Sequence, residues 1–138
     1  MTEGASRLAL AAFMVAAGAL HFAVPSAYAR IVPPALGHAR ALVLVTGGAE
    51  IATGVLLVLP ATRRLGGWLA AGLLVAVFPA NVQMALQGGI AGASFPLDSA
   101  AVAWLRLPLQ IPLVRWAWRH GRGPRLAPAV VAAGTGKG

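Results

Sequence analysis

The chain has 138 residues, of which 59% are hydrophobic and 10% are charged, with a formal net charge of +8 and no cysteine. A soluble domain is about one-quarter charged, so this composition predicts a single-domain integral membrane protein and excludes a soluble globular domain. The absence of cysteine excludes thiolate metal sites, disulfide relays and cysteine nucleophiles. The basic residues lie at the ends of apolar runs, so they predict how the protein is oriented in the membrane, and no nucleic-acid partner is predicted.

The first apolar run extends from Leu8 to Val24 and predicts a transmembrane helix over 7–24. About 18 residues span roughly 27 Å, which is just enough for the hydrocarbon core of a bilayer. An A-x-A pattern ending at Ala29 leaves a cleaved signal peptide as the alternative, although Glu3 is unusual in the basic start of such a peptide. His21 lies near the far end of this run.

The segment over 25–40 is too polar and too rich in proline to span a membrane. Pro25, Pro33 and Pro34 interrupt any long helix. Its apolar side chains suit a short amphipathic or re-entrant piece at the membrane interface, which would cap a cavity between the helices. A plain connector between two spans is the alternative.

The second run predicts a helix over 40–59 with one carboxylate, Glu50, near its middle. A charge at this depth costs about 2.5 to 3.5 kcal/mol on insertion scales, so it needs a partner, a proton or a water-filled cavity. Gly47 and Gly54 share its helical face, where small residues let a second helix approach closely. Glu50 is therefore predicted to face the other helices.

Two further runs predict helices over 65–87 and 99–119, followed by a mobile basic tail over 121–138. Pro79 predicts a kink in the third helix, and Asn81 adds a polar group just after it. In the fourth, Arg106 and Gln110 lie one turn apart on the same face.

The distribution of lysine and arginine predicts how the helices are oriented. Most of these residues lie where the first helix starts, between the second and third helices, and at or after the end of the fourth helix. Positive residues stay in the cytoplasm. The prediction is an all-α, integral membrane four-helix bundle, up-down-up-down, with both termini cytoplasmic, as a multi-pass protein of the cytoplasmic (inner) membrane.

This topology places the polar side chains of the four helices within a slab of about 10 Å in the non-cytoplasmic half of the bundle. The set is His21, Glu50, Asn81, Arg106 and Gln110. Arg106 is predicted to be the partner of Glu50, with Asn81 and Gln110 bridging them. A purely structural role is the alternative, because polar contacts between membrane helices contribute about 0.6 kcal/mol on average and up to about 1.7.

Four stretches carry a resemblance to a known family: GALHFAVPSAYARIVPPALG, TGGAEIATGVLLVLPATRRLGGWLAA, VFPANVQMALQ and WLRLPLQIPLVRWAWR. In this order they resemble the DoxX-like family of small four-helix membrane proteins, over nearly the whole chain to Arg119. The wider family is similar to the membrane subunit of thiosulfate:quinone oxidoreductase. The resemblance implies the same polar signature, whereas the disulfide chemistry of related groups is not implied, because this chain has no cysteine.

The first functional hypothesis is a binding subunit for a lipophilic, oxygen-bearing molecule such as a quinone. Arg106, Asn81 and Gln110 would donate to a carbonyl, and Glu50 or His21 would exchange protons. The chain carries no haem, flavin or metal motif, so no intrinsic cofactor is predicted apart from the quinone, and an oxidoreductase partner would carry the redox step.

The second hypothesis is a cofactor-free acid/base enzyme that isomerises, cyclises or opens a ring of a lipophilic substrate. Glu50 would be the base or nucleophile, Arg106 would stabilise negative charge, and His21 would be the acid. No metal site is predicted, because one imidazole and one carboxylate fall short of the usual three ligands. Proton-coupled transport would need a homo-oligomer, since four short helices give little room for alternating access.

Overall fold

A computed structural model describes the chain over residues 1–123, so the predicted tail lies outside the described residues except for its first three positions. Its helices are α1 (Glu3–Ala23), α2 (Pro25–Ala29), α3 (Ala39–Val58), α4 (Arg63–Ala76), α5 (Phe78–Leu86) and α6 (Ala100–Arg122), with a 3-10 turn at Pro34–Leu36. Within residues 1–123 the structure contains no strand. The predicted all-α class is confirmed.

Three helices are long and apolar enough to cross a membrane: α1, α3, and α4 together with α5. The fourth predicted span, α6, has 23 residues, but it contains Pro108, Pro112 and several arginines, which lower its hydropathy. Large apolar side chains are exposed on the helix surfaces, among them Val45 at 68% and Ile111 at 64%. Such surfaces are expected where helices face lipid instead of water.

The helix boundaries follow from capping groups and proline. The hydroxyl of Thr2 accepts a hydrogen bond from the Ala5 amide at 3.2 Å, and Ser99 accepts one from Val102 at 3.4 Å. Each satisfies an amide that has no partner in the first turn of a helix. Pro79 has no amide hydrogen, and the third predicted helix is interrupted at Val77, which confirms the predicted kink.

Glycines allow the long helices to pack closely. α1 packs mainly against α3, α3 against α4, and α4 against α6. A Cβ atom at Gly18 of α1 would lie 2.5 Å from the Gly47 carbonyl oxygen of α3, and a Cβ at Gly54 would lie 2.9 Å from the Ala11 oxygen. The two helices therefore touch through their backbones, as helices in lipid often do.

Basic side chains join the helices at one end. Arg7 at the start of α1 donates to the carbonyl oxygens of Leu57 (2.6 Å) and Val58 (3.0 Å), which end α3. Arg64 at the start of α4 donates to Gly121 (3.4 Å) and Arg122 (3.3 Å), which end α6. These carbonyls have no helical partner, and a cation is favoured at a helix C-terminus.

Two apolar clusters form the interior. One lies toward the basic end and includes Leu10, Met14, Leu57 and Leu74. The other joins the α2 region to α3, α5 and α6, and its buried members are Tyr28, Ile31, Val43, Met84, Ala85, Ile90 and Ala103. Members of both clusters line a cavity that also holds the buried polar side chains.

Candidate functional site

A cavity of about 490 Å³ lies among the helices, and every helix from α1 to α6 contributes to its wall. Its lining is mostly apolar. The five predicted polar residues all line it: His21, Glu50, Asn81, Arg106 and Gln110. The structure therefore brings the whole predicted set to one site, although the pairing within the set differs from the prediction.

Glu50 pairs with His21. The imidazole Nδ1 lies 2.8 Å from the carboxylate Oε2, and Glu50 is only 5% exposed. The contact has the distance of a hydrogen bond without its alignment, and neither atom has a hydrogen-bond partner within residues 1–123. In this part of the chain, a buried carboxylate and a buried imidazole nitrogen therefore face each other with no third group to fix the position of the proton.

The predicted pair of Glu50 and Arg106 is wrong. Within residues 1–123 no arginine nitrogen lies within 4.0 Å of the Glu50 carboxylate. Close packing of α1 on α3 places His21 directly beside Glu50, because a Cβ at Gly47 would lie 2.6 Å from the Cβ of His21. Arg106 is held from another side of the cavity, where its guanidinium donates to Met84 Sδ at 3.4 Å.

Asn81 and Gln110 form a separate network across α4, α5 and α6. The Asn81 amide donates to Gln110 Oε1 at 2.8 Å, and the Gln110 amide donates to the carbonyl oxygen of Leu74. Leu74 lies in the last turn of α4, just before the helix break at Val77. The two side-chain amides connect the helices at the break. They do not bridge Glu50 to Arg106, so that prediction is wrong. The side-chain oxygen of Asn81 makes no hydrogen bond within residues 1–123 and can accept one from a ligand.

The segment after α1 forms part of the cavity wall. Tyr28, Ile31, Val32, Pro33 and Leu36 all line the cavity, so the capping role is confirmed over the plain connector. Two contacts hold this segment on the α5–α6 region: Arg30 donates to the Ala91 carbonyl, and Gln87 donates to the Arg30 carbonyl at 3.3 Å.

Tyr28 is the site residue that the sequence analysis missed. Its ring lies against His21, with the ring centroids 4.4 Å apart. Burial raises the pKa of the Tyr28 phenol above 10.0, Arg106 lowers it in part, and Glu50 raises it further. The phenol therefore stays protonated at neutral pH and can donate a hydrogen bond. Its place in a proline-rich segment hid it, because the break between α1 and α2 removes the continuous helical register that would relate Tyr28 to His21.

Thr46 also lines the cavity, but its hydroxyl donates to its own helix, at 2.9 Å from the Leu42 oxygen and 3.0 Å from the Val43 oxygen. The groups that remain for a ligand are the Tyr28 phenol and the Arg106 guanidinium as donors, the Asn81 oxygen as an acceptor, and Glu50 with His21 as a pair that can exchange a proton. Nowhere in residues 1–123 do three His, Cys, Asp or Glu side chains come together as metal ligands. The arrangement can bind an oxygen atom and move a proton.

Fold and site together define a helical protein with membrane-length helices around a largely apolar cavity that holds an acid–imidazole pair. The chain belongs to a family described as a domain of unknown function, DUF8561, which it matches over residues 10–121. All five predicted site residues and Tyr28 lie inside the matched range. The chain matches no curated protein and no solved structure.

Proposed function

We propose that the chain is a multi-pass protein of the cytoplasmic (inner) membrane, with α6 as a fourth span, up-down-up-down topology and both termini in the cytoplasm. The proposal is supported by two arginines at one end of the bundle, where α1 and α4 begin and α3 and α6 end. Arg7 joins α1 to α3 there, and Arg64 joins α4 to α6. Positive residues concentrate on the cytoplasmic side of membrane proteins. The cavity then lies in the non-cytoplasmic half of the bundle.

We propose that this cavity binds a lipophilic, oxygen-bearing small molecule of the quinone type. The observation that carries the proposal is the cavity of about 490 Å³, with apolar walls and a few polar groups at one site. Ligand cavities typically measure about 300 to 1,000 Å³ and combine apolar walls with a few placed polar groups. Tyr28 and Arg106 would donate to a ligand oxygen, the Asn81 oxygen would accept a hydrogen bond from a ligand hydroxyl, and His21 with Glu50 would exchange a proton with the ligand.

The resemblance to DoxX-like proteins supports a role beside an oxidoreductase. In this proposal the chain holds the lipophilic molecule, and a partner protein supplies or removes the electrons. The residues of the cavity would bind the molecule, orient it and exchange its protons, and the partner would carry the redox group.

A thermal-shift experiment on the purified full chain tests binding. Ubiquinone or menaquinone analogues are expected to raise Tm by several degrees, since a ligand at about 100 times its Kd adds about 2.7 kcal/mol of stability. Arg106→Ala should remove most of the shift. Arg115→Ala is the matched control, because Arg115 lies on the same helix but is exposed and outside the cavity. No shift with any analogue in the unsubstituted chain would contradict the proposal.

A second candidate function, a cofactor-free acid/base enzyme acting on a lipophilic substrate, is favoured by the 2.8 Å contact between His21 and Glu50. A carboxylate that orients an imidazole is a common arrangement for general-base catalysis. This candidate predicts turnover of a lipophilic ketone, lactone or epoxide by the purified chain with no partner present. Glu50→Gln should lower kcat by at least about a hundredfold, whereas Glu3→Gln, at an exposed site, should leave it unchanged.

A further inference from the structure

The two nitrogens of the His21 ring have different surroundings. Nδ1 is buried and faces Glu50 Oε2 at 2.8 Å. Nε2 is not buried in this way, makes no hydrogen bond within residues 1–123, and belongs to a side chain that lines the cavity. When a neighbouring carboxylate favours the neutral tautomer that carries its proton on Nδ1, the opposite nitrogen is left as a proton acceptor. Nε2 of His21 is therefore the basic atom offered to a ligand.

Groups of opposite charge lie on different sides of the cavity around His21. Glu50 of α3 would stabilise an imidazolium, while Arg106 of α6 and the Tyr28 phenol of α2 would stabilise a negative oxygen on the ligand. α4 and α5 contribute no titratable group to the cavity wall. The cavity therefore contains groups that would stabilise both charges created by proton transfer, the positive imidazolium and the negative ligand oxygen.

We propose that the preferred ligands of this site carry an acidic hydroxyl, a phenol or an enol, and that His21 Nε2 accepts its proton. The ligand O–H bond breaks, an N–H bond forms on His21, the electron pair stays on the ligand oxygen, and no oxidant or reductant is involved. Glu50 is a positioning residue that fixes the ring and stabilises its charge. The inference rests on the proposed binding function and names the substrate class that this site selects.

A ligand with only carbonyl oxygens suits the same atoms less well. It can accept hydrogen bonds from Arg106 and Tyr28, but it offers no donor to His21 Nε2. A buried polar atom that loses water without gaining a partner is penalised, whereas a charge-assisted hydrogen bond is among the stronger polar contacts. A ligand with a hydroxyl group can accept hydrogen bonds from Arg106 and Tyr28 and also donate one to His21 Nε2, so it should bind more tightly than a ligand with only carbonyl oxygens.

The test uses a ligand that reports its own protonation, a 2-alkyl-4-nitrophenol, whose phenolate absorbs visible light more strongly than its phenol. The full chain in detergent is titrated at about one pH unit below the pKa of the probe in empty micelles. The bound probe is expected to show the phenolate band. It should also bind at least about tenfold more tightly than its methyl ether, which has the same shape and no O–H.

Two variants assign the roles. His21→Gln should lose the phenolate band and Glu50→Gln should reduce it, and each should weaken binding of the phenol by a larger factor than binding of the ether. A merely structural role for either residue would lower binding of phenol and ether alike. The matched controls are His38→Gln and Glu3→Gln, because both residues are exposed and outside the cavity. Their bound probe should give the spectrum of the unsubstituted chain.

Infrared difference spectra between the ligand-bound and free unsubstituted chain also show which residue receives the proton, and they remain usable if His21→Gln does not fold. Bands of a protonated imidazole are expected on binding. A new C=O band of a carboxylic acid would place the proton on Glu50 and overturn the assignment to His21. A bound probe that keeps its neutral spectrum would overturn the inference alone if the ether or a quinone still binds. If phenol, ether and quinone all fail to bind, the proposed function fails as well.

Discussion

Gly67→Ala is expected to lower the free energy of unfolding by about 2 to 3 kcal/mol, because an extra atom in a closely packed contact forces the backbone to move. A Cβ at Gly67 of α4 would lie 2.6 Å from the carbonyl carbon of His120 and 2.7 Å from Cα of Gly121, both on α6. These are backbone atoms, so no side-chain rotation relieves the clash. Unfolding titrated with SDS in mixed micelles measures the difference.

The same helix supplies the control for this prediction. Gly72 lies on α4, and apart from the adjoining backbone of its own helix a Cβ at this position would have no atom within 4 Å, so Gly72→Ala adds the same atom into open space. It should be neutral or stabilise the helix by up to about 1 kcal/mol through its higher helix propensity. Equal destabilisation by the two substitutions would show that α4 and α6 do not meet at Gly67.

The helices could be predicted from the sequence because each depends on local information. Runs of apolar residues of membrane length indicated α1 and α3, and a proline without an amide hydrogen indicated the break at Val77. The fourth run was harder, because its prolines and arginines lower the hydropathy of α6. Its length and position are as expected, while its place in the bilayer is part of the proposal.

The members of the site could also be predicted, whereas their pairing could not. Counting residues from the helix ends gives the depth of each polar group, and depth alone brought five side chains together. Pairing depends on how each helix is rotated and which neighbours touch, and opposite formal charge favoured Arg106 as the partner of Glu50. Backbone contact at Gly18 and Gly47 instead places the His21 ring beside the acid.

This contact makes helix packing and site geometry parts of one interface. Gly18 and Gly47 allow α1 and α3 to approach, and the same approach brings His21 within 2.8 Å of Glu50. A larger residue at either glycine would separate the helices and the two ionisable groups together. The spacing of small residues around Glu50, which indicated a helix contact, therefore also sets the geometry of the contact between His21 and Glu50.

Gly47→Ala tests this coupling and is expected to abolish ligand binding as well as to destabilise the chain. The new Cβ would lie 2.6 Å from the Cβ of His21 and 3.0 Å from the Gly18 oxygen, so α1 must move away from α3. We expect a loss of about 1 to 3 kcal/mol in stability and a loss of the thermal shift given by quinone analogues.

Gly48→Ala is the matched control for that substitution, since a Cβ at this neighbouring position on α3 would contact nothing within 4 Å beyond the adjoining backbone of its own helix. It should keep both the stability and the thermal shift of the unsubstituted chain. If Gly47→Ala loses stability but keeps full binding, the cavity does not depend on the His21–Glu50 contact, and ligand recognition must rest on Arg106, Tyr28 and Asn81. If the backbone contact at Gly47 also sets the position of His21 beside Glu50, Gly47→Ala must lose stability and the thermal shift together.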